Sequence, residues 1–157
     1  MLDAVGEAIK TLGIACDVVH CDPNLADTEA FCSNYDIPRE NAANAILVAA
    51  KTEPKQYVVC LVLATTKIDV NHKVSKLLGV KRLSFASADE TKDVTGQMIG
   101  GVTVFALPNV PLYIDARVME RPWVIVGGGD RSTKLKLAPQ ELLKIPNASV
   151  ADIAIPR

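Results

Sequence analysis

The sequence predicts a mixed α+β fold. Short apolar strand candidates outnumber amphipathic helical stretches, several of those candidates adjoin as hairpins, and no regular strand-helix-strand alternation runs along the chain. With 157 residues and 49% hydrophobic content, the chain can bury one core and is too short for two comfortable ones, so a single domain over 1–157 is expected.

The elements follow in order. Leu2, Val5, Ile9 and Leu12 recur at helical spacing and Gly13 stops the run, which predicts a helix over 2–12. Ile14 to His20 reads as a strand and Asp22-Pro23-Asn24 as a turn, and Asp27 can cap a helix from Thr28 to about Tyr35, with Pro38 closing the unit. Ala45–Ala50 and Tyr57–Ala64 are strongly apolar and flank a polar, proline-containing stretch, the pattern of a core β-hairpin. Asp69 then caps a helix whose Val70, Val74, Leu77 and Leu78 form one face and whose end is Gly79; His72 falls off that face.

Leu83-Ser84-Phe85 is a short extended piece. Ser87 with Glu90 three residues later makes a capping box for a helix finishing near Thr95 and Gly96. An apolar strand is expected over Val102–Leu107, with further strands at Leu112-Tyr113-Ile114 and Trp123–Val126. Ser132–Leu137 alternates, which sets Lys134 and Lys136 on one face and Leu135 and Leu137 on the other. Pro139 opens a last short helix.

Composition narrows the functional classes. No apolar run approaches the roughly 20 residues of a membrane span, and acidic Asp3 and Glu7 stand where a secretory leader would be basic, so a cytoplasmic protein with no membrane association is expected. Cys16, Cys21, Cys32 and Cys60 show no Cys-x-x-Cys pair and, with His20 and His72, no zinc spacing; free thiols and no bound metal or cofactor are expected. Residues 1–50 carry two basic and eight acidic side chains, a net −6, and residues 51–157 carry fifteen and ten, a net +5. Such a basic later portion suits phosphates.

Two glycine-rich stretches could carry chemistry. In Thr95-Gly96-Gln97-Met98-Ile99-Gly100-Gly101-Val102-Thr103, three glycines in six positions free backbone N–H groups to face an oxyanion. The triple glycine 127–129 precedes Arg131 and Lys134 but lacks the Gly-Lys-Ser/Thr order of a phosphate loop, and a tight turn is the simpler reading, with Arg131 and Lys134 beside it able to contact nucleic acid. Lys73, Lys76, Lys81 and Arg82 form a second basic cluster on and after the Asp69 helix. Neither histidine accompanies a recognisable nucleophile, which disfavours a covalent triad.

Several segments taken together resemble the YbaK/EbsC superfamily of Cys-tRNA(Pro) deacylases and prolyl-tRNA synthetase editing domains. They are Cys60–Thr66 leading into Ile68-Asp69-Val70, Lys76–Val80, Thr95-Gly96 followed by Gly100-Gly101-Val102, Tyr113-Ile114-Asp115, Val124–Gly129 and Leu137–Leu142. The resemblance implies a mixed, partly barrel-like β-sheet surrounded by short helices. It also implies a pocket in which activated water hydrolyses the ester of a mischarged tRNA without a metal or a covalent nucleophile. The implied partners are the acceptor end of that tRNA and an aminoacyl-tRNA synthetase, with neither DNA nor membrane.

Two family signatures are altered: Asn44 stands where the family has a lysine, and Val104 where a proline follows the glycine pair. Lys51 cannot substitute, because it lies seven residues on along the strand, roughly 23 Å away at about 3.3 Å per residue, and faces the other side. The resemblance thus assigns catalysis to Asn44, Gly100 and Gly101, and substrate binding to Thr95, Gly96, Val102 and Val104; Arg131 and Lys134, from the basic residues beside the triple glycine, are expected to add to substrate binding. An amide is a weaker donor than an ammonium. Two functions stand open: a trans-acting deacylase, or a weakly active or inactive relative that binds aminoacyl-tRNA ends or a protein partner.

Overall fold

The computed structural model describes residues 3–99 and 102–157. Helix α1 (Asp3–Leu12) packs Val5, Ile9 and Leu12 against the main core and ends at Gly13, whose φ of 68° is the left-handed conformation that glycine adopts without penalty. Strand β1 covers only Asp17–His20, shorter than the predicted 14–20. Asp22 accepts a bond from the Asn24 backbone and opens a 3-10 turn, and helix α2 (Thr28–Asn34) follows.

The predicted hairpin is the centre of the molecule. Strands β2 (Ala43–Ala50) and β3 (Gln56–Leu63) pair antiparallel, Asn44 opposite Val62. Both faces of this hairpin are covered, which is why it reads as continuous apolar runs. Leu47, Val59 and Leu61 enter the main core, while Val48, Val58, Cys60 and Val62 enter a second one. Burial pushes the Cys60 thiol up to about 12, so it is inert at neutral pH.

Strand β4 (Thr66–Ile68) leads into a helical segment that begins as a π turn, Val70–Val74, and continues as α3 (Ser75–Leu78). Asp69 caps it as expected and His72 is solvent-exposed, but Leu77 is 47% exposed: the π turn advances the register so that Val70, Val74 and Leu78 alone face the core. In the basic cluster, Lys73 bonds Asp152 and the Ala154 carbonyl, tying the C-terminal segment down.

Strand β5 (Leu83–Phe85) pairs with the edge of β2, and helix α4 (Ala88–Thr95) is capped by Ser87. Glu90 does not close the box; its carboxylate takes Lys55 and Tyr57 instead, and those contacts hold it below the usual carboxylate range. Residues 102–107 form no strand, contrary to the periodicity. Val102, Thr103, Val104 and Phe105 are buried in irregular backbone held by side-chain bonds, so their apolar character records burial and not pairing.

Strands β6 (Leu112–Asp115), β7 (Val124–Gly127) and β8 (Thr133–Leu137) occur where predicted, and Pro139 opens a 3-10 helix to Lys144. The sequence reading missed β9 (Ala148–Ala151) and β10 (Ala154–Pro156). The strands form a five-stranded sheet ordered β5-β2-β3-β6-β9, a three-stranded sheet β1-β8-β7 and the pair β10-β4. A parallel bridge between Ala42 and Ile125 joins the first two sheets side by side, and among the described residues they do not close into a barrel.

Candidate functional site

The seam between the two larger sheets opens into a cavity of about 570 Å³. Register explains its position. Ala42 bridges Ile125; two residues along each parallel strand come Asn44 and Gly127, and Gly127 pairs with Lys134. Asn44, Gly127 and Lys134 therefore share a face on successive strands, and all three line the cavity. The middle position has no side chain, so the outer two reach into one space.

The segment leading into α2 fixes both polar groups. Thr28 Oγ1 donates to Asn44 Oδ1 at 2.6 Å, which leaves the amide nitrogen as the donor Asn44 offers to a ligand. Lys134 Nζ donates to the Ala26 carbonyl at 2.7 Å and lies 5.3 Å from the centroid of the Phe31 ring. Lys134 is only 7% exposed, and this burial, with Arg131 nearby, holds its ammonium below the ordinary lysine range against the opposing pull of Asp27. The alternation of β8 was read correctly, but its Lys134 face is internal: Lys136 on the same face lies over Trp123 at 4.4 Å.

The remaining walls are apolar, chiefly Phe31, Ala43, Ala45, Ile46, Val62, Ile68, Val102 and Ile125. A small organic group with one carbonyl or anionic oxygen fits such a lining. Among the described residues no group of three His, Cys, Asp or Glu side chains could hold a metal ion.

The expected site residues divide. Asn44, Val102 and Lys134 come together in the cavity wall. Arg131 stands at its edge as a brace, bonding the Pro23 and Ile99 carbonyls and Asp27 at 3.1, 3.2 and 3.2 Å. Thr95 and Gly96 do not line the cavity; Thr95 bonds the Thr91 carbonyl and receives the Gln97 N–H, and Gly96, at φ 72°, ends α4. Val104 lines a separate cavity of about 420 Å³ between α1 and the 104–112 segment. Gly100 and Gly101 lie outside the described residues.

Sequence reasoning missed Thr28, Phe31, Gly127 and Gln97. The buried Gln97 receives the Thr103 N–H on its side chain. A polar residue between glycines was the available signal. The triple glycine proves to be the end of a strand and a turn: Gly128 donates to Thr133 O at 3.0 Å, and a Cβ there would stand 2.7 Å from that oxygen.

Comparison with known proteins places the chain among relatives. Residues 22–145 match the family described as the aminoacyl-tRNA editing domain. A protein of Enterococcus faecalis, provisionally assigned as the Cys-tRNA(Pro)/Cys-tRNA(Cys) deacylase EbsC, is 26% identical over 109 residues, 69% of this chain and 64% of that one. The chain thus spans less than two thirds of that relative's length. YwhH of Bacillus subtilis, uncharacterised, is 27% identical over 80% of this chain and 78% of its own. A crystal structure provisionally assigned as a trans-editing enzyme for prolyl tRNA synthetase superposes with a TM-score of 0.84 at 22% identity, over 99% of both chains. No described helix is long and apolar enough to cross a membrane.

Proposed function

The chain belongs to the aminoacyl-tRNA editing domain family, and from that premise we propose that it is a trans-acting aminoacyl-tRNA deacylase. Its substrate is a mischarged tRNA whose aminoacyl group enters the cavity between the sheets. Water attacks the ester carbonyl carbon, the bond to the terminal ribose oxygen breaks, and that oxygen takes a proton, releasing the amino acid and an uncharged tRNA.

The observation that carries this reading is the convergence of Asn44 and Lys134 inside apolar walls. Negative charge develops on the carbonyl oxygen during attack, and donors already oriented in a water-poor site stabilise it at little reorganisation cost. The Asn44 amide, aimed by Thr28, is one donor. The Lys134 ammonium is the second: it brings from β8 the positive charge that the family's lysine brings at the position of Asn44. Val102 shapes the wall and Arg131 holds the surrounding loops.

Incubating the protein with a panel of mischarged tRNAs tests the proposal. Release of at least one amino acid above buffer is expected, and Asn44→Ala should slow it by about 10²-fold, the low end for losing one preorganised donor. No release from any member of the panel would reject it. The neutral amide at position 44 favours a second reading, binding without turnover, for which salt-dependent tRNA association without ester cleavage is the signature. A synthetase partner belongs to either reading.

A further inference from the structure

The cavity mouth carries features that ester chemistry does not require. Phe85 lines it while 55% exposed, and Ile99, just before the glycine pair in sequence, lines it while 54% exposed; Met98 beside it is 53% exposed. An aromatic ring at the end of an edge strand, half out of the core, is apolar surface held in reserve. Lys67 and Arg157, both exposed, line the same cavity. Arg157 is anchored through Nε to the Ala64 carbonyl at 3.0 Å, which orients the rest of its guanidinium. Of the charged residues lining the cavity, Lys67, Lys134 and Arg157 are cationic and Asp27 alone is anionic, its charge met by Arg131 at 3.2 Å. In a chain of net charge −1, the charged residues of this lining are mostly cationic.

We infer that Phe85 is the stacking platform for the unpaired terminal base of the RNA, with Lys67 and Arg157 as contacts to the adjoining backbone phosphates. This rests on the deacylase reading and deepens it, since it states how the nucleotide carrying the ester is held outside the cavity while the acyl group lies within. An aromatic face beside cations is the combination that recognises single-stranded nucleic acid: every base has a face to stack, and the cations follow the backbone. An apolar peptide would use the ring and leave the two cations unmatched.

The test uses a stem-loop RNA ending in an unpaired CCA, and the same RNA with an abasic terminal ribose, against the full chain. Wild type should bind the intact RNA about tenfold more tightly than the abasic one, within the range for a single stacked base. Phe85→Ala should lose that preference and bind both RNAs alike, whereas Phe85→Trp should keep it. Lys67→Ala should weaken both RNAs equally and flatten the salt dependence by about 0.7 in log-log slope, the value for one single-strand phosphate contact. A preference for the intact RNA that survives Phe85→Ala overturns the inference, as does wild-type protein that binds the two RNAs equally. Deacylation with the mischarged panel separates the two levels: turnover with no dependence on Phe85 removes the stacking platform only. Phe85-dependent base recognition without turnover removes the hydrolase and keeps the platform.

Discussion

The two cavities differ more in chemistry than in size. The one between the sheets, about 570 Å³, draws Lys134 and Asn44 inside apolar walls; the one beneath α1, about 420 Å³, is lined by Ala8, Leu12, Val104, Phe105 and Leu112, with its polar residues Glu7, Thr11, Asn109 and Asn147 all exposed at the edge. Burying an ammonium works against folding, whereas an apolar seam beneath a helix forms from the same forces as the rest of the core. The difference teaches that volume does not locate chemistry here. On the proposed reading a buried cation does, with the Ala26 carbonyl and the Phe31 ring among its contacts.

Emptying the second cavity further should break stability and spare function. Phe105→Ala is expected to cost about 3–5 kcal/mol in denaturant unfolding, while kcat/KM for deacylation of whatever remains folded stays near wild type. A large loss of kcat/KM without loss of stability would reverse the roles assigned to the two cavities.

The converse holds for Lys134→Met. Deacylation should fall by about 10²–10³-fold, the usual loss for one preorganised donor, with the midpoint of unfolding unchanged or raised because a buried charge has gone. Thr28→Val is a gentler probe. It removes the hydroxyl that aims Asn44, and about a tenfold fall in kcat with little change in KM is expected.

The smallest effect is in pH. Burial depresses Lys134 in the folded protein, so below that depressed value the folded state carries a penalty the unfolded chain does not. The penalty disappears as pH rises toward about 10.4, where an unfolded lysine also loses its proton. The stability of wild type relative to Lys134→Met should therefore rise with pH across the alkaline range. A flat difference would mean that Lys134 titrates alike in both states.

Much of this architecture was legible in the chain. The 45–64 hairpin, the Asp69 and Ser87 caps, and the stops at Gly13, Gly79 and Gly96 are local signals, written within a few residues of the elements they govern. Non-local features were not. Val102–Leu107 reads as a strand because apolar run length records burial and cannot distinguish it from pairing, and β9 is short with no buried residue, paired to its parallel partner β6.

The site shows the same limit. Asn44 and Lys134 were each nameable, but their meeting depends on the Ala42–Ile125 bridge and on a side-chain-free Gly127 between them, a relation across about 90 residues of chain. Val104 was assigned to the pocket because it stands where the resembled family has a proline, and in the structure it lines the other cavity.

The most direct measurement is single-turnover deacylation of the tRNA that wild type hydrolyses fastest, compared among wild type, Lys134→Met and the double variant Lys134→Met with Asn44→Lys. If the pocket's ammonium has moved from β2 to β8, the first substitution abolishes most of the rate and the second restores a substantial part of it. Wild-type rates in Lys134→Met would contradict the assignment outright.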